Sequence, residues 1–111
     1  MDTADRSAEL EKAIALAQGP NTMEAEKCLR QLVASGVRDP LASMALGVLC
    51  GQRGDKGERR LWFQQARRLV EADGARPSLQ LLLNQSIDAL EQGEPDQALA
   101  FGQEALSFYP E

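Results

Sequence analysis

Few residues in this chain are able to do chemistry, and their spacing narrows what they could do. Histidine is absent from the 111-residue sequence, which removes the commonest general base, zinc ligand and triad member. The two cysteines, Cys28 and Cys50, form no CxxC, and each falls within an apolar helical stripe. In such a stripe a free thiol serves as a small hydrophobe, so both are expected to be reduced and buried. Glu9 and Glu11, or Glu24 and Glu26, are two positions apart and therefore lie on different helix faces, so they do not make a paired acid–base site. Gly51, Gly54 and Gly57 superficially match a phosphate loop, but the closing Gly-Lys-Ser/Thr and a preceding strand are both lacking. The chain is therefore not expected to be an enzyme, and no catalytic residue, metal or cofactor is assigned.

Charge is the more informative chemistry. The sequence carries 12 basic and 17 acidic residues, but unevenly: four against six over residues 1–36, eight against five over 37–76, and none against six over 77–111. Arg53, Lys56, Arg59, Arg60, Arg67 and Arg68 place half of all basic residues within sixteen positions. Such a run reads either as a solvated helix face or as a dock for an acidic partner, including the acidic last third of a second copy. An acidic chain with one basic segment is a poor match for nucleic acid, and none is expected as a partner.

These residues must be positioned by helices. Apolar residues make up 43% of the chain and aromatics only 5%, so a core has to come from Leu, Ala, Ile, Val and Met, with little of the β-branched and aromatic material that strands use. A length of 111 residues fits one domain, 1–111. No apolar run approaches the ~18 residues that span a bilayer, and Met1 to Glu11 is charged where a secretion signal would be apolar. Membrane insertion is not expected, and a cytoplasmic location is.

Breakers at Gly19-Pro20-Asn21, Gly36 to Pro40, Gly51 to Gly57, Asp73 to Pro77 and Gly93-Glu94-Pro95 leave six helical segments. Asn21 with Glu24 has the spacing of a capping box, Asp39 precedes Pro40 at a first helical position, and Pro95 opens the last segment. Ala25, Leu29, Leu32 and Gly36 share one face, as do Trp62, Phe63, Ala66, Leu69 and Val70. Short connections make such neighbours antiparallel, which predicts three hairpins over about 3–36, 39–73 and 77–109.

Small and aromatic residues recur in one register: Leu46-Gly47, Gly54, Phe63 and Ala66, then Gly93, Ala98, Ala105 and Pro110. In this pattern the chain resembles the tetratricopeptide-repeat family, in the manner of a small stand-alone bacterial member. It departs from the pattern where Lys12-Ala13 and Gln85-Ser86 stand in place of Leu-Gly. The resemblance implies a right-handed stack of three antiparallel helix hairpins, six helices in all, with Gly47, Ala66, Ala98 and Ala105 where paired helices cross.

The resemblance also implies a concave groove lined by the first helix of each hairpin: Leu10, Ile14 and Ala17, then Leu41, Met44 and Val48, then Leu83, Ile87 and Leu90. All nine are apolar, which suits an apolar segment of another protein or peptide, although a short array could instead close over them as core. Phe101, Leu106 and Phe108 on the last helix form an expected edge interface, open to a homodimer through that helix or to a heterologous partner. The implied function is protein binding, as an adaptor or chaperone of the kind that shields subunits in bacterial secretion. The competing reading is a self-assembling structural repeat or a permanent subunit.

Overall fold

The computed structural model describes the backbone of residues 3–111 and the side chains of 7–111; residues 1 and 2 of the expected domain lie outside the described residues. The described chain is all-helical, with six α-helices and no strand. They are α1 (Thr3–Ala17), α2 (Thr22–Ala34), α3 (Pro40–Gln52), α4 (Lys56–Ala72), α5 (Leu79–Glu91) and α6 (Pro95–Phe108), joined by connections of three to six residues. Helices adjacent in sequence pack together, most extensively α3 with α4 and α5 with α6, and α1 also reaches α3.

Local chemistry explains the boundaries. Asp39 precedes Pro40 and its carboxylate accepts from the Leu41 N–H at 2.9 Å, as the sequence suggests for this start. Asp55 and Ser78 cap α4 and α5 in the same way, accepting from the N–H groups of Glu58 and Leu81. Asn21 differs from expectation: it stands at the start of α2, but its side chain makes no capping hydrogen bond. The capping box is not formed, and α2 is held by packing. At the other ends, Gly54 (φ 90°) and Gly93 (φ 75°) adopt the left-handed conformation that reverses the chain. The next N–H groups, of Asp55 and Glu94, then bond back to the carbonyls of Cys50 and Ala89.

The apolar core is continuous in the first half of the molecule. Leu10, Ala13, Ala25, Leu29, Leu32, Ala42, Leu46 and Leu49 are buried together, with Trp62 of α4 packed against them. A second, smaller group joins α4 to α5: Phe63, Ala66 and Leu81, with half-buried Met44 against them. Burial of Ala25, Leu29 and Leu32, and of Phe63, Ala66 and Leu69, follows the faces read from the sequence.

α3 and α4 approach closely because α3 lacks side chains where α4 is bulky. A Cβ on Gly47 would sit 2.5 Å from Cε1 of Phe63, and one on Gly51 would sit 2.6 Å from Cδ of Arg59. Gly47 and Gly51 are one turn apart on α3, as Arg59 and Phe63 are on α4, so the glycine stripe receives the two large side chains in register.

Gly47→Ala is therefore expected to destabilise the fold by roughly 1–3 kcal/mol through overpacking against Phe63, although Ala for Gly inside a helix ordinarily stabilises by about 1 kcal/mol. Gly102→Ala on α6, where a Cβ would meet nothing within 4 Å, is expected to show that ordinary stabilisation. Urea denaturation of the two variants checks both signs, and opposite signs are the expected result.

Candidate functional site

The nine groove positions divide between core and surface. Leu10 is only 7% exposed and belongs to the apolar core, with Ile14 and Ala17 packed partly buried against the same cluster. The groove expected along α1 is closed there, because α2 and α3 both pack against α1 and cover its apolar side. Met44 is also drawn inward, against Phe63, Ala66 and Leu81. The other five positions are exposed: Leu41 and Val48 on α3, and Leu83, Ile87 and Leu90 on α5.

Both helices carry more apolar residues than one stripe can bury. Ala42, Leu46 and Leu49 turn α3 inward, leaving Leu41 and Val48, two turns apart, on the far side. On α5, Leu81, Leu82 and Ala89 are buried while Leu79, Leu83, Ile87 and Leu90 face out. Of these, Val48 and Ile87 line one cleft of about 250 Å³, walled by Val48, Gly51 and Gln52 of α3 and by Asn84, Ile87 and Glu91 of α5, with Arg59 and Phe63 of α4 between them. α3 has no charged residue along its length.

The floor of this cleft is ionic. Arg59, 8% exposed, donates from Nε to Asp88 at 2.8 Å and from Nη1 to Glu91 at 2.7 Å. Arg60 donates from Nε to the other Asp88 oxygen at 2.9 Å and grips Glu94 with both terminal nitrogens. Gln92 adds a third donor to Asp88. Two turns further on, Arg67 holds Glu104 of α6 bidentately and bonds Gln85 and Glu71.

Burial would raise the Asp88 pKa, but hydrogen bonds from Arg60, Arg59 and Gln92 outweigh it and hold the carboxyl below its ordinary value. Glu91 is lowered chiefly by its bond from Arg59.

A second network ties α2, α3 and α4. Glu26 binds Arg30 and Arg53, and Glu58 accepts from Arg30, Arg53 and the Cys50 thiol, the last at 2.8 Å. Desolvation and the Glu58 carboxylate push the buried Cys50 thiol up to about 12, so it is a hydrogen-bond donor and not a nucleophile at neutral pH. Cys50 is buried as expected, while Cys28 is half-buried; both are free.

The expected acidic-partner patch is thus largely occupied by the chain's own acids. Arg59, Arg60 and Arg67 bind Asp88, Glu91, Glu94 and Glu104, Arg53 binds Glu26 and Glu58, and Lys56 lies 3.9 Å from Glu91. Arg68 stands exposed, apart from these pairs. The physical reason is proximity: α5 and α6 pack beside α4, so segments of opposite charge neutralise each other within one molecule. The charge asymmetry between residues 37–76 and 77–111 was the sequence signal for this pairing. What sequence reasoning missed was Asn84, and the pairing of Gly51 with Arg59.

At the expected edge interface, Phe101 and Phe108 are half-buried, with Arg67 over the Phe101 ring and Arg76 over Phe108 and Tyr109. Leu106 is exposed, and Leu99, two turns earlier, accompanies it.

Compared with models of known protein families and with curated protein sequences, the chain matches none. No helix of the described residues is long and apolar enough to cross a membrane.

Two outcomes follow from the ionic floor. Asp88→Ala leaves the Arg59 guanidinium buried with one anchor removed and is expected to cost about 3–5 kcal/mol in urea denaturation. The folded-state pKa values of Asp88, Glu91, Glu26 and Glu58 are all lowered, so the unfolded chain binds more protons in the carboxylate range. This stabilisation is complete above the unfolded value of about 4 and is lost as pH falls through the lowered folded values. The urea midpoint should be level near neutrality and fall steeply below about pH 4.

Proposed function

We propose that this protein is a protein-binding module of the tetratricopeptide-repeat type. In this reading its three helix pairs stack as hairpins, and the α3–α5 cleft holds an apolar segment of a partner polypeptide. The observation that carries the reading is a cleft between α3 and α5 with exposed Val48 on one side and exposed Ile87 on the other, and with Leu41, Leu83 and Leu90 exposed on the same two helices. Exposed apolar area gathered in a concave surface, with charges confined to neutralised pairs, suits capture of an apolar chain by loss of water from both surfaces. No nucleophile, base and orienting group come together at this cleft, so the reading is of binding and not catalysis.

An adaptor or chaperone in the cytoplasm that shields an aggregation-prone partner, as secretion chaperones do, is the biological role this reading favours. The number of lining positions is smaller than the resemblance implies, because α1 contributes core and not groove. The site is therefore short, built by two helix pairs, and suited to a segment of a few residues.

Val48→Asp combined with Ile87→Asp puts two charges across the cleft without touching buried residues. The double variant is expected to keep the helical circular dichroism spectrum and thermal midpoint while losing the partner that co-purifies with the parent chain. Unfolding of the double variant would assign these residues to the core. Retention of the partner would move the binding surface elsewhere, to the Leu99 and Leu106 face of α6 in particular.

A further inference from the structure

Among the buried polar atoms, Arg59 Nη2 stands out: the other two nitrogens of this guanidinium are bound to Asp88 and Glu91, but Nη2 is shielded from solvent and has no hydrogen-bond partner. A buried donor without an acceptor is costly, and native structures rarely leave one unless a ligand or water completes it. Arg59 belongs to the lining of the α3–α5 cleft, directly below Gly51, whose missing Cβ leaves the guanidinium its place.

We infer that Arg59 reads a neutral carbonyl on the cleft's occupant, and that this occupant is an uncharged apolar peptide segment in extended conformation. The inference rests on the binding function proposed above and specifies its ligand. The occupant is apolar because Val48 and Ile87 form the lips. Its acceptor is neutral because Arg59 already faces two carboxylates, and a third anion would meet both at close range. It is extended because a helix consumes its inner carbonyls in its own hydrogen bonds, whereas an extended chain presents one with every residue.

Asn84 fits the same occupant: its Oδ1 already accepts from Gln80 at 3.1 Å, which turns its amide N–H groups to the role of donor. Gln52 on the opposite wall supplies a second amide. Nη2 is shielded in the free chain, so its engagement requires side chains at the cleft to move, and rotamer changes of that kind are common when interfaces form.

The test uses an acetylated, amidated nonapeptide of alternating Leu and Ser, followed by NMR on the full chain through the Val48 and Ile87 methyl signals and the Arg59 Nε–H signal. Binding is expected to shift all three. Replacing the peptide's amides one at a time by alkene isosteres should weaken binding most at one position, by roughly tenfold or more, the scale of one lost hydrogen bond to a charged group. The variant combining Arg59→Met with Asp88→Leu removes the ion pair as a unit, which buried pairs tolerate far better than loss of one partner. In it the weakening at the carbonyl assigned to Arg59 should disappear.

A scan that is flat in the parent chain overturns the role of Arg59. Tighter binding of a stapled Leu–Ala helix at the same methyls overturns the extended occupant while leaving the binding function standing. If neither peptide shifts Val48 and Ile87, both readings fail. If those signals move with protein concentration alone, a second copy fills the cleft and the inference is overturned.

Discussion

The buried ion pair between Arg59 and Asp88 is the interaction on which the second half of this molecule depends. It sits where three helices meet, with Gly51 of α3 above the arginine, α4 carrying it and α5 presenting the carboxylate. Asp88 receives donors from Arg59, Arg60 and Gln92, so a charge that would be expensive to bury alone is fully engaged. The glycines of α3 make the arrangement possible, because side chains at Gly47 and Gly51 would occupy the space that Phe63 and Arg59 fill.

The molecule thus uses two kinds of adhesion. From α1 to the near side of α4 the helices share one apolar cluster, whose strength is insensitive to salt and rests on area removed from water. Between α4 and the last two helices the apolar contribution shrinks to a small group around Phe63, Ala66 and Leu81, and arginine–carboxylate pairs supplement it. Pairs on the periphery, such as Arg60 with Glu94, are partly screened by solvent and contribute little individually. The pair at the centre is geometrically specific and fixes where α5 lies relative to α4. That placement sets the distance between α3 and α5, and so the width of the cleft.

Confining charge to internal pairs has a consequence for the surface. The cations of α4 that would otherwise attract acidic or nucleic-acid ligands are mostly neutralised by the last two helices, and α3 has no charge to begin with. What the cleft offers to solvent is aliphatic side chain from Val48 and Ile87, carboxamide from Gln52 and Asn84, and the Glu91 carboxylate already paired with Arg59. The pairing also reduces the acidity of residues 77–111 as seen from outside, since Asp88, Glu91, Glu94 and Glu104 each have a cation at hand.

Helical class, the number of helices and most boundaries were legible in the amino-acid sequence, because Gly and Pro punctuation and 3.6-residue apolar spacing are local properties. Asp39 before Pro40 and Pro95 at the head of α6 acted as read, while Asn21 did not cap, since a capping residue type permits the hydrogen bond without requiring it. Small residues at Gly47, Ala66, Ala98 and Ala105 announced close approach and are buried. Tertiary structure alone decided which apolar residues stay open: Leu10 and Leu83 have the same chemistry, yet Leu10 is covered by neighbouring helices and Leu83 is not. It also decided the fate of the arginines, since a one-dimensional charge run has the same appearance whether its counter-ions lie in solvent, in another molecule or on a helix thirty residues away. Burial and ion pairing are properties of how elements come together in space, and the spacing of residues along one helix does not contain that information.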